Sequence, residues 1–500
     1  MLNRVASKTN EVRNSILTLL NLLSENKRYI THKYLPTSLL YVLSAYIYSL
    51  LRGVKDSILV PRLGAELISF IKFYGVFPAT IIFFICFAKL ANNLTRDKLY
   101  YCITSFFISF FLLYAFLLNP YQNYFHPDLS HLIESFPHFK YQLLMIENWT
   151  VTLFYIMSEL CGTVLLTLLF WQFANDVYSI TEAKKTYALF GLIGQLGLIL
   201  AGLVQHSVSN YFISHPNTLE AWINIMKGMM ISIAMAGFGL MLLYRWMYKN
   251  VLQNPEFCSR QHNVETEKVR LSIKESFKYV FSSHYLWLIM VIVFCYGFGV
   301  NLIESVWKNQ LRLEYVTNSS YSAFMGKFHI YFGCTSIIVM LFGNYILRRF
   351  KWVIAALCTP VGAGSTGAIF FSLLIFKDLF IPFINSLDLT LLKVTILFGS
   401  MQVIIFKSFN YTFVDATKEM AFIPLDREFR TKGKAAVDVI GGRFGKSFGA
   451  ILQQIMFHTI SPNLSDLTNQ ICIIFVVVMS LWVYSVLALN KKFTKISHEE

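Results

Sequence analysis

The sequence predicts an all-helical membrane protein that crosses the bilayer twelve times and is built from two repeats of six helices. Three observations predict this fold class: the composition, the lengths of the apolar segments, and the order of short motifs along the two halves. Of the 500 residues, 55% are hydrophobic and only 14% are charged, whereas a soluble domain has about 25% charged residues. The composition therefore excludes an ordinary soluble protein.

Twelve apolar segments are long enough to span a bilayer, which takes about 20 residues per helix. The predicted spans are 34–54, 67–90, 99–119, 149–173, 186–207, 223–246, 284–306, 322–347, 352–376, 388–412, 434–458 and 467–489. The segment 1–33 is polar and basic rather than a short apolar core, so we expect a cytoplasmic N-terminal segment and no cleavable signal peptide. The eight cysteines lack paired spacing, which predicts neither a disulfide framework nor a metal site.

The formal net charge of +15 could suggest a nucleic-acid partner, but the placement of the charge argues against one. Lys and Arg crowd alternate connections, including 247–283 and the tail 490–500, while 206–222 and 459–466 contain none. This alternation follows the positive-inside rule. It predicts a multi-pass protein in the lipid bilayer with both termini in the cytoplasm.

The longest polar connection, 247–283, divides the chain into a first half, 34–246, and a second half, 284–489. The halves share motifs in the same order: Lys55-Asp56 corresponds to Lys308-Asn309, and Asp176 corresponds to Asp415. Each aspartate is followed by a charged loop and a glycine-rich helix. Two six-helix repeats with substrate held between them near the midplane are typical of major-facilitator-type transporters.

Two carboxylates stand out against the apolar background. Glu159 lies in the middle of the fourth span, where a charge exposed to lipid would cost about 2.5 kcal/mol or more. Glu304 lies near the predicted end of the seventh span. We expect Glu159 to face the protein interior or water, in a transport role or as a structural acid paired with another helix. Glu304 has the same two interpretations, because a carboxylate at a helix end can reach interfacial water.

Several cations are predicted to line an aqueous entrance for an anion. Lys55 lies at the mouth of the first predicted helix, and Arg52, Lys55 and Arg62 all run against the positive-inside trend. Lys72 and Lys327 occupy equivalent positions in the two halves and are assigned to the same group.

The eleventh span carries two cations beside its glycines. Residues 441–447 resemble a phosphate-binding loop, but Gly441 and Gly445 are four residues apart where that motif needs five. We therefore reject an ATP-hydrolysing loop. The remaining interpretations are that Arg443 and Lys446 face phosphate oxygens from a closely packed or unwound helix, or that they reach the interface from a glycine seam.

Charged loops follow the fourth and tenth spans and are candidates for a gate on the cytoplasmic face. The candidate residues are Asp176, Lys184, Asp415 and Lys418. Clusters in equivalent positions suit contacts that form in one state and break in another. They are equally well interpreted as ordinary loop charges.

Three long segments, 159–176, 182–191 and 415–439, resemble the nucleotide transporters of obligate intracellular bacteria and plastids, the non-mitochondrial ATP/ADP translocases. The resemblance extends over nearly the whole chain. It implies twelve helices in a major-facilitator-like fold and exchange of host ATP for bacterial ADP. It also implies a functional set formed by Lys55, Glu159, Glu304 and Lys446. The absence of a transit peptide favours a bacterial inner membrane over a plastid envelope.

The sequence therefore predicts a nucleotide antiporter that acts as a monomer and needs no cofactor, with ATP, ADP or other nucleoside di- and triphosphates as substrates. In this prediction Lys55 and Lys446 bind the phosphate chain with help from Arg443, while Glu159 and Glu304 pair with cations in the empty carrier. Uptake of other nucleotides or organic phosphates, by proton coupling or uniport, is the alternative within transport. A membrane enzyme acting on lipid-linked phosphates is the alternative outside it, but the sequence offers no metal cluster, nucleophile triad or P-loop for one.

Overall fold

A computed structural model describes residues 30–214, 218–254, 283–425, 433–437, 441 and 444–499. Twelve long helices, labelled α1 to α12 in chain order, make up most of this described part. They are Thr31–Leu63, Leu67–Asn93, Arg96–Leu118, Trp149–Val177, Ile180–Ile213, Thr218–Met247, His284–Glu314, Asn318–Arg349, Trp352–Ile375, Leu391–Phe422, Phe444–Thr459 and Thr468–Glu499.

All of these helices except α11 are long and apolar enough to cross a membrane, which gives eleven candidate spans among the described residues. Helix α11 has 16 described residues, fewer than the about 20 that a span needs. The predicted span 434–458 also includes positions outside the described residues. The prediction of an all-helical polytopic protein is confirmed.

The first and seventh helices extend well beyond their predicted ends. Helix α1 continues to Leu63 and α7 continues to Glu314, where the sequence predicted ends near 54 and 306. Lys55 therefore does not lie at the mouth of α1, and Glu304 does not lie at the end of α7. The helices continue because the charges in these stretches pair with one another inside the protein, so they do not have to end in water.

Successive helices end on alternate faces of the molecule. The connections 94–95, 178–179 and 350–351 and the residues 423–425 after α10 lie on one face, here called the basic face. The connections 64–66, 119–148, 315–317, 376–390 and 460–467 lie on the other, here called the opposite face. The 119–148 connection contains short helices at Gln122–Phe125, Ser130–Ser135 and Lys140–Glu147.

The two halves pack closely where α5 crosses α8, because the crossing is made by glycines. A Cβ atom added to Gly202 would lie 2.6 Å from the Gly326 carbonyl oxygen and 2.8 Å from the Ile330 nitrogen. Next to this crossing, Ser209 Oγ donates to Ser322 Oγ at 2.9 Å. Small residues let two helix backbones approach in this way.

Further contacts join the halves at the opposite face. The Leu464 N–H donates to Glu66 Oε1 at 3.2 Å, and Gln454 Nε2 donates to the Ser69 carbonyl at 2.9 Å. The Tyr141 hydroxyl donates to the Pro462 carbonyl. These bonds, together with the α5–α8 crossing, hold the halves together on the side away from the basic face.

Large apolar side chains cover the outer surfaces of several helices. Ile82 of α2 is 62% exposed and Phe342 of α8 is 69% exposed. Soluble monomers rarely expose apolar surface continuously. These faces are suited to contact with lipid.

Candidate functional site

A cavity of about 150 Å³ lies between the two halves. Helices α1, α2 and α4 form one wall, and α7 and α10 form the other. The lining residues are Tyr48, Arg52, Lys55, Lys72, Tyr155, Ser158, Glu159, Tyr296, Gly297, Val300, Asn301, Glu304, Lys308, Lys407 and Tyr411. We call it the cationic cavity, because five of these residues are Lys or Arg.

One charge network in the wall is centred on Asp56. Asp56 Oδ1 lies 3.1 Å from Lys55 Nζ, and Asp56 Oδ2 lies 2.8 Å from Lys308 Nζ. Lys55 Nζ also lies 3.0 Å from Glu159 Oε1 and 4.0 Å from the centre of the Tyr155 ring. Lys55, Asp56 and Lys308 are all buried. The network therefore connects α4 and α1 of the first half to α7 of the second.

A second network is centred on Glu304. Arg52 Nη2 lies 2.9 Å from Glu304 Oε1, and Lys407 Nζ contacts the same oxygen. Arg52 and Lys55 are three residues apart on α1, so they lie on the same face of that helix and serve neighbouring networks. This second network connects α1 of the first half to α7 and α10 of the second.

Lys72 differs from the other cations of the cavity. Its Nζ donates to Asn301 Oδ1 at 3.1 Å, and within the described part of the chain no carboxylate oxygen lies within ion-pair distance of it. Lys72 therefore contributes a positive charge that Asn301 solvates but does not neutralise.

The charges of the cavity do not balance. Five cations, Arg52, Lys55, Lys72, Lys308 and Lys407, face three carboxylates, Asp56, Glu159 and Glu304. The formal charges therefore leave an excess of two positive charges in a partly buried region, where charge interactions are stronger than at a surface. The arrangement is suited to bind a multiply charged anion.

The structure brings three of the five predicted substrate-binding residues together. Lys55, Glu159 and Glu304 all line the cationic cavity. Arg443 lies outside the described residues. Lys446 belongs to α11, but its side chain also lies outside the described part.

The glycines around these two positions are closely packed. Gly445 approaches the backbone of α7, since an added Cβ would lie 2.6 Å from the Phe294 carbonyl oxygen. One turn later, an added Cβ on Gly449 would lie 3.0 Å from Asn301 Nδ2. The glycines thus bring α11 against the part of α7 that carries Asn301.

The gate candidates lie near the basic face. Asp176 pairs with Arg96 within the first half. Asp415 Oδ1 lies 4.0 Å from Lys418 Nζ, one turn along α10. The side chain of Lys184 lies outside the described part.

A further ion pair on the basic face connects α1 to α5. Lys33 Nζ lies 2.9 Å from Glu182 Oε1. Burial raises the pKa of the Glu182 carboxyl, but the hydrogen bonds from Lys33 and from the Ser179 N–H outweigh burial, so this pKa lies below its ordinary value. The ion pairs that described residues form with one another on the basic face lie within one half or the other.

Two cations expected at the anion entrance lie elsewhere. The Arg62 guanidinium donates to Gln122 Oε1 at 2.8 Å near the opposite face. Lys327 is exposed and lines neither the cationic cavity nor the larger cavity described below. Lys327 and Lys72 are equivalent in the sequence repeat, but Lys72 lines the cationic cavity and Lys327 does not.

Sequence reasoning missed the site roles of three residues. Asp56 and Lys308 were recognised only as part of the repeat, and Lys407 was counted within an apolar span. The missed signal for Lys407 was a single lysine inside a predicted span, which marks a functional site in the same way as Glu159 does.

Comparison with known proteins gives consistent matches along the chain. The sequence model of the family described as TLC ATP/ADP transporter matches residues 10–493. ADP,ATP carrier protein 1 of Rickettsia typhi is 38% identical over 467 residues, which cover 92% of this chain and 93% of the relative. ADP,ATP carrier protein 3 of Rickettsia bellii is 37% identical and covers 93% and 95% of the two chains.

Solved structures agree on the fold. A D-xylose-proton symporter aligns with a TM-score of 0.54 and 13% identity, covering 92% of this chain and 97% of its own. A bacterial homologue of the iron transporter ferroportin, in an inward-facing state, aligns with a TM-score of 0.52 and 14% identity, covering 92% and 98%. At such low identity these likenesses show the fold alone.

Proposed function

Because this chain belongs to the TLC ATP/ADP transporter family, we propose that it is a nucleotide antiporter that exchanges external ATP for internal ADP by alternating access. The relatives at about 37% identity are named ADP,ATP carrier proteins. The chain acts as a transporter and not as an enzyme, since exchange needs no bond to be made or broken.

The observation that carries this proposal is the excess of two positive charges in the cationic cavity. The cavity lies between the halves, where major-facilitator-type carriers hold their substrates. A di- or triphosphate chain supplies several negative charges and many acceptor oxygens in a short length. Lys and Arg donors bind such groups with short, charge-assisted hydrogen bonds.

In the proposed mechanism the phosphate chain binds Lys55 and competes with the carboxylates for the cations. In the empty carrier Glu159 holds Lys55, and Glu304 holds Arg52 and Lys407. A bound nucleotide replaces these partners with phosphate oxygens. Both networks include residues from the two halves, so the exchange of partners is coupled to the movement of one half against the other.

Two further groups complete the proposal. Arg443 and Lys446 assist in binding the phosphate chain. Asp176, Lys184, Asp415 and Lys418 form the gate on the basic face, where pairs within each half exchange for pairs between halves when that side closes. The contacts at the opposite face then break.

We place the carrier in a bacterial inner membrane as a monomer, with the basic face and both termini in the cytoplasm. The alternation of basic and neutral connections supports this orientation.

Counter-exchange in liposomes tests the proposal. Purified protein is reconstituted into vesicles with and without internal ADP, and uptake of labelled ATP is followed. We expect uptake that depends on internal ADP and that Lys55→Gln abolishes, while Lys327→Gln, which changes an exposed lysine outside both cavities, has no effect. Uptake that does not depend on internal nucleotide, or that is driven by an imposed proton gradient, would refute exchange.

A further inference from the structure

A second and larger cavity lies next to the cationic cavity, on the side of the basic face. Its volume is about 420 Å³, within the range of pockets that bind small molecules. Tyr48, Arg52 and Tyr411 line both cavities. The two cavities are therefore adjacent, with Arg52 between them.

The walls of the larger cavity are rich in aromatic side chains. Those that line it are Tyr41, Tyr48, Tyr187, Phe328, Phe332 and Tyr411. The rings of Phe332 and Tyr411 lie nearly parallel, at an interplanar angle of 23° and a centroid distance of 6.5 Å. Tyr187 is held in place by the Trp171 ring and by a 2.8 Å hydrogen bond from its hydroxyl to Asn175 Oδ1.

A few polar groups interrupt this apolar wall. His329, only 2% exposed, carries an Nδ1 atom without a hydrogen-bond partner among the described residues. Gln195 and Asn344 also line the cavity. A side-chain amide offers one donor and one acceptor, the pattern that matches the N6 and N7 atoms of adenine.

We propose that the larger cavity is a nucleoside subsite, in which a purine base stacks on the aromatic wall while the phosphates extend past Arg52 into the cationic cavity. This inference rests on the proposed function and adds the part of the substrate that the cationic cavity leaves unexplained. The two adjacent cavities match the two parts of a nucleotide: the larger, aromatic cavity suits the base, and the cationic cavity suits the phosphates. Base stacking supplies affinity, and the amides of Gln195 and Asn344 select the base.

The subsite is tested by comparing a nucleotide with its phosphate chain alone. In ADP-loaded vesicles, the KM for ATP is compared with the inhibition constant of inorganic tripolyphosphate, which carries the phosphate chain without a nucleoside. Phe332→Leu and Tyr411→Leu each remove an aromatic face but keep apolar bulk. We expect each to raise the KM for ATP by about tenfold. Because Phe332 does not line the cationic cavity, Phe332→Leu should leave the inhibition constant of tripolyphosphate unchanged.

Controls separate this effect from general damage. Phe342→Leu makes the same change on α8 at an outward-facing side chain and leaves both constants unaltered. Tyr411→Phe keeps the ring and raises the KM less than Tyr411→Leu does. Gln195→Leu and Asn344→Leu reduce the preference for ATP over GTP and CTP, measured by how well unlabelled GTP and CTP compete with labelled ATP for uptake.

The possible failures are distinguishable. Wild-type protein that takes up no ATP would refute the proposed function and the subsite with it. ATP exchange that stays normal in Phe332→Leu and Tyr411→Leu would refute the subsite alone, as would equal losses for ATP and tripolyphosphate in Phe332→Leu.

Discussion

Lys308 Nζ lies 2.8 Å from Asp56 Oδ2 across the boundary between the two halves, while Lys55 Nζ lies 3.1 Å from the other oxygen of the same carboxylate. Lys55 and Lys308 occupy equivalent places in the sequence repeat. A single aspartate therefore bridges the two lysines that the repeat relates, and the equivalent position beside Lys308 is the neutral Asn309.

Asp56→Asn should destabilise the protein strongly, because it leaves Lys55 and Lys308 buried without this shared carboxylate. Removing one partner from a buried ion pair costs about 3–5 kcal/mol. Lys308→Gln should lower the free energy of unfolding by less, since Asp56 still pairs with Lys55. Thermal unfolding in detergent measures both changes. If the double variant Asp56→Asn/Lys308→Gln is as unstable as the sum of the singles, the two residues do not interact energetically.

Glu304→Gln should make ATP bind more tightly and move more slowly. The change raises the excess positive charge of the cavity from two to three and frees Arg52 and Lys407 for phosphate. It also removes the carboxylate that holds these cations in the empty carrier. We expect a lower KM and a lower maximal rate of exchange in ADP-loaded vesicles, with Glu304→Asp nearer to wild type. A higher KM in Glu304→Gln would contradict the assignment.

Lys407→Gln should weaken nucleotide binding, because it removes a cation that lines the cationic cavity. A hydrogen bond to a charged group is worth about 1.5–3 kcal/mol, so we expect the KM for ATP to rise about tenfold or more. Lys393→Gln is the matched control on the same helix, since Lys393 is 61% exposed and pairs loosely with Glu314. Equal effects of the two variants on the KM would show that Lys407 acts only through overall charge.

Gly202→Ala should disturb the packing between the halves. The new methyl group would lie within 3 Å of the backbone of α8, which cannot give way as a flexible side chain can. Overpacking of this kind costs about 1–3 kcal/mol. Gly364→Ala is the control, because an added Cβ there has no neighbour within 4 Å. Thermal unfolding and exchange rates that stay unchanged in Gly202→Ala would show that α5 and α8 do not need this close contact.

The fold could be predicted from the sequence because lipid imposes simple demands on length and polarity. Apolar stretches located the helices. The alternation of basic connections predicts the orientation of these helices in the membrane. The predicted ends of α1 and α7 were wrong because these helices carry charges that lie inside the protein. The stretch from Arg52 to Asp56 looks like the end of a helix when each residue is considered alone, but its partners Glu159, Glu304 and Lys308 allow α1 to continue.

The site could be predicted only in part, for a related reason. Glu159 is conspicuous because it is a charge in the middle of an apolar span. Lys55 is conspicuous because it is a cation on the side where the positive-inside rule predicts few. Their pairing depends on which faces of α1 and α4 meet, and sequence spacing within one helix does not fix that. The site roles of Asp56 and Lys308 become clear only when helices from both halves are placed around the same cavity, whereas Lys407 could have been noticed as a single lysine inside a predicted span.

The excess of fixed positive charge between the halves also has an electrical consequence. ATP and ADP differ by one elementary charge when both are fully ionised, and the lysines and arginine that hold them stay with the protein as the halves move. If these residues remain near the same depth in the bilayer, each exchange transfers the charge difference across the membrane. A potential of 100 mV then changes the free energy of a cycle by about 2.3 kcal/mol. The membrane potential would therefore bias the direction of net ATP flow.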